Sequence, residues 1–115
     1  MSLMLQISKP TLETIRPGDG VNKPQPGNTI TMHYHGTLED GSVFDSSYRR
    51  GQPFSSPIGV GRLIKAWDQC VPQMTKGEKA IITATHDVAY GETGFPPVIP
   101  ARATLKFEVE LIDFK

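Results

Sequence analysis

A short helix carrying one large ring constrains this chain more than any other stretch. It lies within Val60-Gly61-Arg62-Leu63-Ile64-Lys65-Ala66-Trp67-Asp68-Gln69-Cys70-Val71-Pro72-Gln73-Met74. Leu63, Ile64, Trp67 and Val71 recur at helical spacing, with Arg62, Lys65, Asp68 and Gln69 between them. Pro72 cannot continue an ordinary helix, so the helix ends near it. A helix this short cannot bury an indole alone; it must lie against a sheet. Trp67 then reads either as a core anchor or as the floor of a pocket, and its neighbours decide between the two.

The rest of the chain supplies strands. In Thr29 to Leu38, the residues Ile30, Met32, Tyr34, Gly36 and Leu38 fall on one face. Thr31, His33, His35 and Thr37 fall on the other, the pattern of a half-buried strand. Glu39-Asp40-Gly41 reads as a hairpin turn and Val43-Phe44-Asp45 as the start of the returning strand. Ser46 to Gln52 is polar, and Pro53-Phe54 resumes an apolar segment. Lys79 to Thr85 reads as a strand after a turn at Lys76-Gly77-Glu78. Thr104 to Ile112 alternates most cleanly, with Leu105, Phe107, Val109 and Leu111 inward. Gln6 to Ile15 is extended, with Pro10 marking an edge strand or a break. Asp87 to Arg102 has no period and holds two glycines and three prolines, so it reads as a long loop. The expected fold is α+β: an antiparallel sheet with one short helix laid on one face.

The 115 residues fit one domain, expected to span 1–115, with room for a real core. Lys plus Arg equals Asp plus Glu, 12 each, and no basic run appears, which argues against nucleic-acid or membrane-surface binding driven by charge. The single Cys70 excludes an internal disulfide and reads as a buried, inert thiol. No stretch reaches the ~20 apolar residues of a membrane span, and Met1-Ser2-Leu3-Met4-Leu5 is too short for a signal peptide. A soluble, cytoplasmic protein is expected.

Conventional catalytic sets are missing. There is no phosphate loop and no nucleophile elbow, and Cys70 has no evident His partner. His33 and His35 could reach one metal from the outer face of their strand. Two ligands from one strand are a weak signal, so they read as solvated histidines and no metal is expected. What the chain offers is rings: Tyr34, Phe44, Phe54, Trp67, Tyr90, Phe95 and Phe107, drawn from strands, helix and long loop. That dispersal suits either an aromatic core or the lining of an apolar pocket.

Several motifs appear together and in order. They are Tyr34-His35-Gly36, Leu38-Glu39-Asp40-Gly41, Phe44-Asp45-Ser46-Ser47, Gly61-x-Leu63-Ile64-x-x-Trp67, Ala89-Tyr90-Gly91, Ile99-Pro100 and Leu105-x-Phe107-x-Val109-Glu110-Leu111. The set covers nearly the whole chain and resembles the FKBP-type peptidyl-prolyl isomerases, in particular small single-domain members that bind tacrolimus and rapamycin. The resemblance implies a five- to six-stranded antiparallel sheet wrapped around the helix. It implies isomerisation of Xaa-Pro bonds with no cofactor, and Asp45, Trp67, Tyr90 and Phe107 as the residues around the reacting amide. It implies a pocket of Tyr34, Phe44, Asp45, Phe54, Leu63, Ile64, Trp67, Tyr90, Ile99 and Phe107, flanked by Phe95 and Val98 of the loop. Trp67 would be the floor. Tyr90 O–H and Ile64 N–H would donate to ligand carbonyls, Asp45 would accept from ligand hydroxyls, and Arg50 would pair with Asp45. Implied partners are proline-containing peptides and proteins, the two macrolides, and calcineurin or TOR kinase captured when drug is bound.

Three positions depart from the commoner family pattern. Ser56 stands where many members have an aromatic residue, which predicts a more open wall. His35 replaces a small residue. Pro97 stands where a glycine is frequent, stiffening Phe95-Pro96-Pro97. Those are themselves Xaa-Pro bonds, and they suggest weak self-association through the pocket of a neighbour. A rival reading is a binding module in which turnover is incidental.

Overall fold

Two ten-residue strands form the spine of the fold, and their alternation explains why. The computed structural model describes residues 10–115. The expectations for Met1 to Leu5 and for the start of the Gln6–Ile15 stretch lie outside the described residues. Strand β2 (Thr29–Leu38) buries Ile30, Met32, Tyr34 and Gly36 and turns its threonines and histidines outward. Strand β6 (Leu105–Phe114) buries Leu105, Phe107, Val109 and Leu111. The two pair antiparallel from Leu38↔Leu105 to Ile30↔Phe114. A register shift near Thr31/Met32 lets β6 run two residues past Ile112, the end expected from alternation, and leaves Ile112 exposed.

Strand β5 (Lys79–Ala84) pairs with β6, and β1 (Thr11–Arg16) is the edge strand on β5, starting just after Pro10. On the other side β2 pairs with both β3 (Val43–Ser46) and β4 (Phe54–Pro57). All six strands are antiparallel, in the order β1-β5-β6-β2-β3 with β4 beside β2. Between β3 and β4 the polar stretch holds a single helical turn, α1 (Ser47–Arg50), closed by Gly51 at φ 72°. Apolar periodicity could not reveal it.

The helix expected around Trp67 is α2 (Lys65–Cys70), continued by a 3-10 turn at Val71–Gln73 that accommodates Pro72. It starts later than Leu63 and Ile64 suggested. Ile64 is extended, at φ −60° and ψ 150°, and lends only its carbonyl to the helix, accepting from Trp67 N–H and Asp68 N–H. Ala66, Trp67 and Cys70 enter one apolar cluster with the inward residues of β2, β5 and β6. Each large side chain removed from water there contributes roughly 1.5–3 kcal/mol, which offsets the entropy of ordering the chain. Cys70 is buried, and burial pushes its thiol pKa up, so it is held as the neutral thiol.

The outward histidines are less free than expected. His33 Nδ1 lies 2.8 Å from Ser47 Oγ, and His35 Nδ1 lies 3.1 Å from Ser46 Oγ. They tie β2 to the β3–α1 corner. The long loop is also more ordered than its composition suggested. A 3-10 turn occupies His86–Val88, and Phe95 and Ile99 bridge each other through two backbone hydrogen bonds.

Candidate active site

A hollow of about 280 Å³ opens above α2. Its lining is Tyr34, Phe44, Asp45, Phe54, Arg62, Leu63, Ile64, Trp67, Tyr90 and Phe107. Trp67 is the floor. Three rings hold it edge-on: Tyr34 at 4.9 Å, Phe107 at 5.0 Å and Phe54 at 5.7 Å between centroids. Edge-to-face contacts satisfy the ring quadrupoles and fix the tilt of the indole. Trp67 Nε1 is buried with no acceptor among the described residues. The nitrogen is thus shielded, and what the floor exposes is ring carbon.

Gly36 makes the far wall possible. A Cβ there would lie 2.6 Å from Phe44 Cζ and 3.2 Å from Phe107 Cε1. Only a glycine lets the Phe44 ring cross β2 and meet Phe107 edge-on at 5.5 Å.

One polar cluster sits on the rim. Tyr34 O–H donates to Asp45 Oδ2 at 2.5 Å. Arg50 donates through Nη1 to Asp45 Oδ1 and through Nη2 to the Tyr34 hydroxyl at 3.0 Å. The guanidinium also sits 5.5 Å from the centre of the Tyr34 ring. Burial, and then the Asp45 carboxylate, push the Tyr34 phenol above its ordinary range, while Arg50 draws it back. The turn α1 aims Arg50, and buried Ser47 anchors α1 by accepting from Tyr34 N–H at 2.7 Å. Asp45 and Arg50 are each nearly half exposed, so this pair orders the rim more than it stabilises the fold.

Two donors beside the hollow belong to residues singled out in the sequence. Among the described residues, neither Tyr90 O–H nor Ile64 N–H meets a protein acceptor. Burial, then the charge of Asp45, raises the Tyr90 pKa, so the phenol keeps its proton. Tyr90 is held by its loop: Gly91 N–H donates to His86 O at 2.8 Å, and Gly94 N–H to Tyr90 O at 3.1 Å. Gly94 is obligatory, since at φ 73° a Cβ would lie 2.3 Å from Pro100 O.

The hollow extends into a second lobe of about 210 Å³ between Phe44, Asp45, Tyr90, Phe95, Val98 and Ile99. The structure thus gathers the residues singled out in the sequence. Arg50 lines neither lobe and acts on the rim through Asp45 and Tyr34. Ser56, expected to open a wall, is not part of the lining; its hydroxyl donates to Pro57 O at 3.0 Å. Arg62 is the addition. An exposed arginine after Gly61 carries no sequence signal that it faces a pocket.

The family model described as FKBP-type peptidyl-prolyl cis-trans isomerase matches residues 20–112. The chain belongs to this family. It is 63% identical over 102 residues to FK506-binding protein 1 of Rhizopus delemar, covering 89% of this chain and 94% of that one. It is 54% identical over 100 residues to a peptidyl-prolyl cis-trans isomerase of Schizosaccharomyces pombe, covering 87% and 89%. The crystal structure of AtFKBP13 superposes with a TM-score of 0.86 at 36% identity, covering 92% of this chain and 93% of that one. The FKBP-type enzymes isomerise Xaa-Pro peptide bonds, and this chain is an isomerase of that class. Among the described residues no helix is long and apolar enough to cross a membrane.

Proposed function

We propose that the hollow over Trp67 is where the prolyl bond turns, and that it works by solvation and positioning alone. Rotation about an Xaa-Pro bond breaks amide resonance against a barrier of ~18–20 kcal/mol. No bond to an outside atom forms, so no nucleophile or acid–base pair is needed. The planar amide is strongly dipolar and well hydrated. The twisted amide regains its nitrogen lone pair and is less polarised. An apolar hollow therefore disfavours the planar state more than the twisted one. The prolyl ring rests on Trp67 against Phe107. Tyr90 O–H and Ile64 N–H hold flanking carbonyls, and Asp45, braced by Arg50 and Tyr34, accepts from ligand donors. A thousandfold acceleration needs only about 4 kcal/mol of differential stabilisation.

The observation that carries this reading is an aromatic hollow edged by Tyr90 and Ile64, whose O–H and N–H meet no acceptor among the described residues. Faster cis–trans exchange is expected for peptides with Leu or Phe before Pro, measured by NMR exchange or a coupled-cleavage assay. A rate no higher than background would reject it.

The same hollow suits the macrolides FK506 (tacrolimus) and rapamycin, and relatives carry FK506 binding in their names. Exposed Val60, Tyr90, Phe95 and Val98 are apolar. That exposure favours a second role as a binding module, in which the drug-filled rim captures calcineurin or TOR kinase. A single domain, a cytoplasmic setting and proline-containing client proteins complete the reading. Phe95-Pro96-Pro97 stands exposed beside the second lobe and can enter a neighbour's hollow, giving weak self-association. Sedimentation at high concentration tests it: wild type should show dimer that Pro97→Gly lacks, and two purely monomeric proteins would rule it out.

A further inference from the structure

We infer that Asp68 is a positioning residue for the isomerase reaction, because its carboxylate holds the wall that presents Ile64 N–H. The inference rests on the proposed role of that N–H as a carbonyl donor. Asp68 follows Trp67 on α2, but its side chain points back to the segment before the helix. Its Oδ1 accepts from Gly59 N–H at 2.8 Å, and its Oδ2 from Gly61 N–H at 2.9 Å. Those glycines lie at φ 77° and 82°, so the segment turns twice through left-handed backbone. Up to Ile58 the backbone is tied down, with Ile58 N–H donating to Asn28 O and Ile58 O accepting from Gly27 N–H. From Ile64 it is tied again, through the Ile64 carbonyl at the start of α2. Between them, among the described residues, the two bonds to Asp68 are the only hydrogen bonds the backbone makes.

That segment is also largely unpacked. Gly59, Val60, Gly61 and Arg62 are exposed, while Arg62, Leu63 and Ile64 line the hollow. Leu63 and Ile64 pack against the core, but neither burial nor the sheet ladder fixes the exposed run from Gly59 to Arg62 that leads into them. A carboxylate accepting two backbone N–H groups does, and such charge-assisted bonds are the stronger kind. Because Asp68 sits one residue past the floor, it locks the wall to the floor through one turn of helix. Asp68 does not line the hollow, so its effect on turnover passes through the Ile64 segment.

The test is Asp68→Asn beside Asp68→Glu in the full chain, with kcat and KM read per folded molecule on an Xaa-Pro peptide. Asn keeps one acceptor oxygen but turns an amide N–H toward the other glycine N–H. Loss of one such bond is expected to raise KM about tenfold with a smaller change in kcat. The backbone amide signals of Gly59, Gly61 and Ile64 should shift or broaden together. Asp68→Glu keeps two oxygens and should recover most of the loss. A role confined to stability would lower the folded fraction and leave KM alone. Wild-type KM in Asp68→Asn, or the same loss in Asp68→Glu as in Asp68→Asn, would overturn the inference. Absence of turnover in the wild type would overturn the pocket reading and this inference with it.

Discussion

Two hollows of similar size differ in their walls. The one over Trp67 measures about 280 Å³ and is lined by aromatic rings on the inner side of the β2–β6 ladder. The other, about 340 Å³, lies beside the β2–β3 turn between Thr37, Leu38, Glu39, Gly41, Thr83, Thr104, Leu105 and Lys106. It is the roomier of the two and holds no ring. Its ammonium and hydroxyls stand toward water, where each new bond replaces one already made to solvent. Over Trp67 the donors stand at the edge of an apolar wall, where a carbonyl gains more from them. Volume does not favour the hollow over Trp67 as the proposed active site; donors that converge on a wall of rings do.

The largest effect should come from removing the floor. Trp67→Ala deletes the ring that Tyr34, Phe54 and Phe107 all touch. FK506 affinity should fall about a hundredfold or more by calorimetry, as for an interface hot spot. Stability should fall by ~3–5 kcal/mol in denaturant titration. An unchanged affinity in the folded fraction would break the comparison, since the ring would then be mere core. Tyr90→Phe should do less. Its hydroxyl has no partner among the described residues, so the fold should lose nothing and Tm should hold. Affinity and kcat/KM should each drop about three- to tenfold, the worth of one hydrogen bond. A matching loss of Tm would mean that the hydroxyl serves the fold.

The same contrast explains what could be read before any coordinates. The β2 and β6 faces were legible because each has a dry and a wet side, and a period of two records that asymmetry. Trp67, Tyr34, Phe44 and Phe107 were legible because rings from distant segments need one shared place to be buried. Three features had no such signal, and Arg50 among them entered only through the family resemblance. Arg50 is aimed by a single polar turn whose defining acts are Ser47 bonding Tyr34 N–H and Gly51 adopting φ 72°. Arg62 faces the hollow from an exposed segment. The start of α2 carries no side-chain cap, so the apolar period ran past it into Leu63 and Ile64. None of the three leaves a pattern of burial. Composition and periodicity report burial and are silent on the rest.

The outer face supplies the smallest effect and the sharpest control. There Tyr48 stacks on His33 at 4.5 Å, and its hydroxyl donates to Glu110 Oε1 at 3.0 Å. Partial burial and then the Glu110 charge push the Tyr48 phenol up to about 12. Because the folded value lies above the ordinary value of 10.0, the stabilisation this bond gives is complete below pH 10.0. It is lost as pH climbs through about 12, when the phenolate faces a carboxylate. Glu110 itself is held below its ordinary range by Arg16 Nη2 at 2.9 Å, with Tyr48 adding to it. Glu110→Gln removes the charge while keeping an acceptor. Phenolate absorbance, with Tyr48→Phe to assign the Tyr48 signal, should then show Tyr48 titrating at lower pH. At neutral pH the cost to stability should stay within about 1 kcal/mol, as for an exposed pair. Turnover should not change, since Glu110 faces away from Trp67 on the strand that carries Phe107. A fall in kcat/KM as large as that of Tyr90→Phe would show that the two faces of the sheet are coupled through β6, and the division between a working face and a supporting one would have to be redrawn.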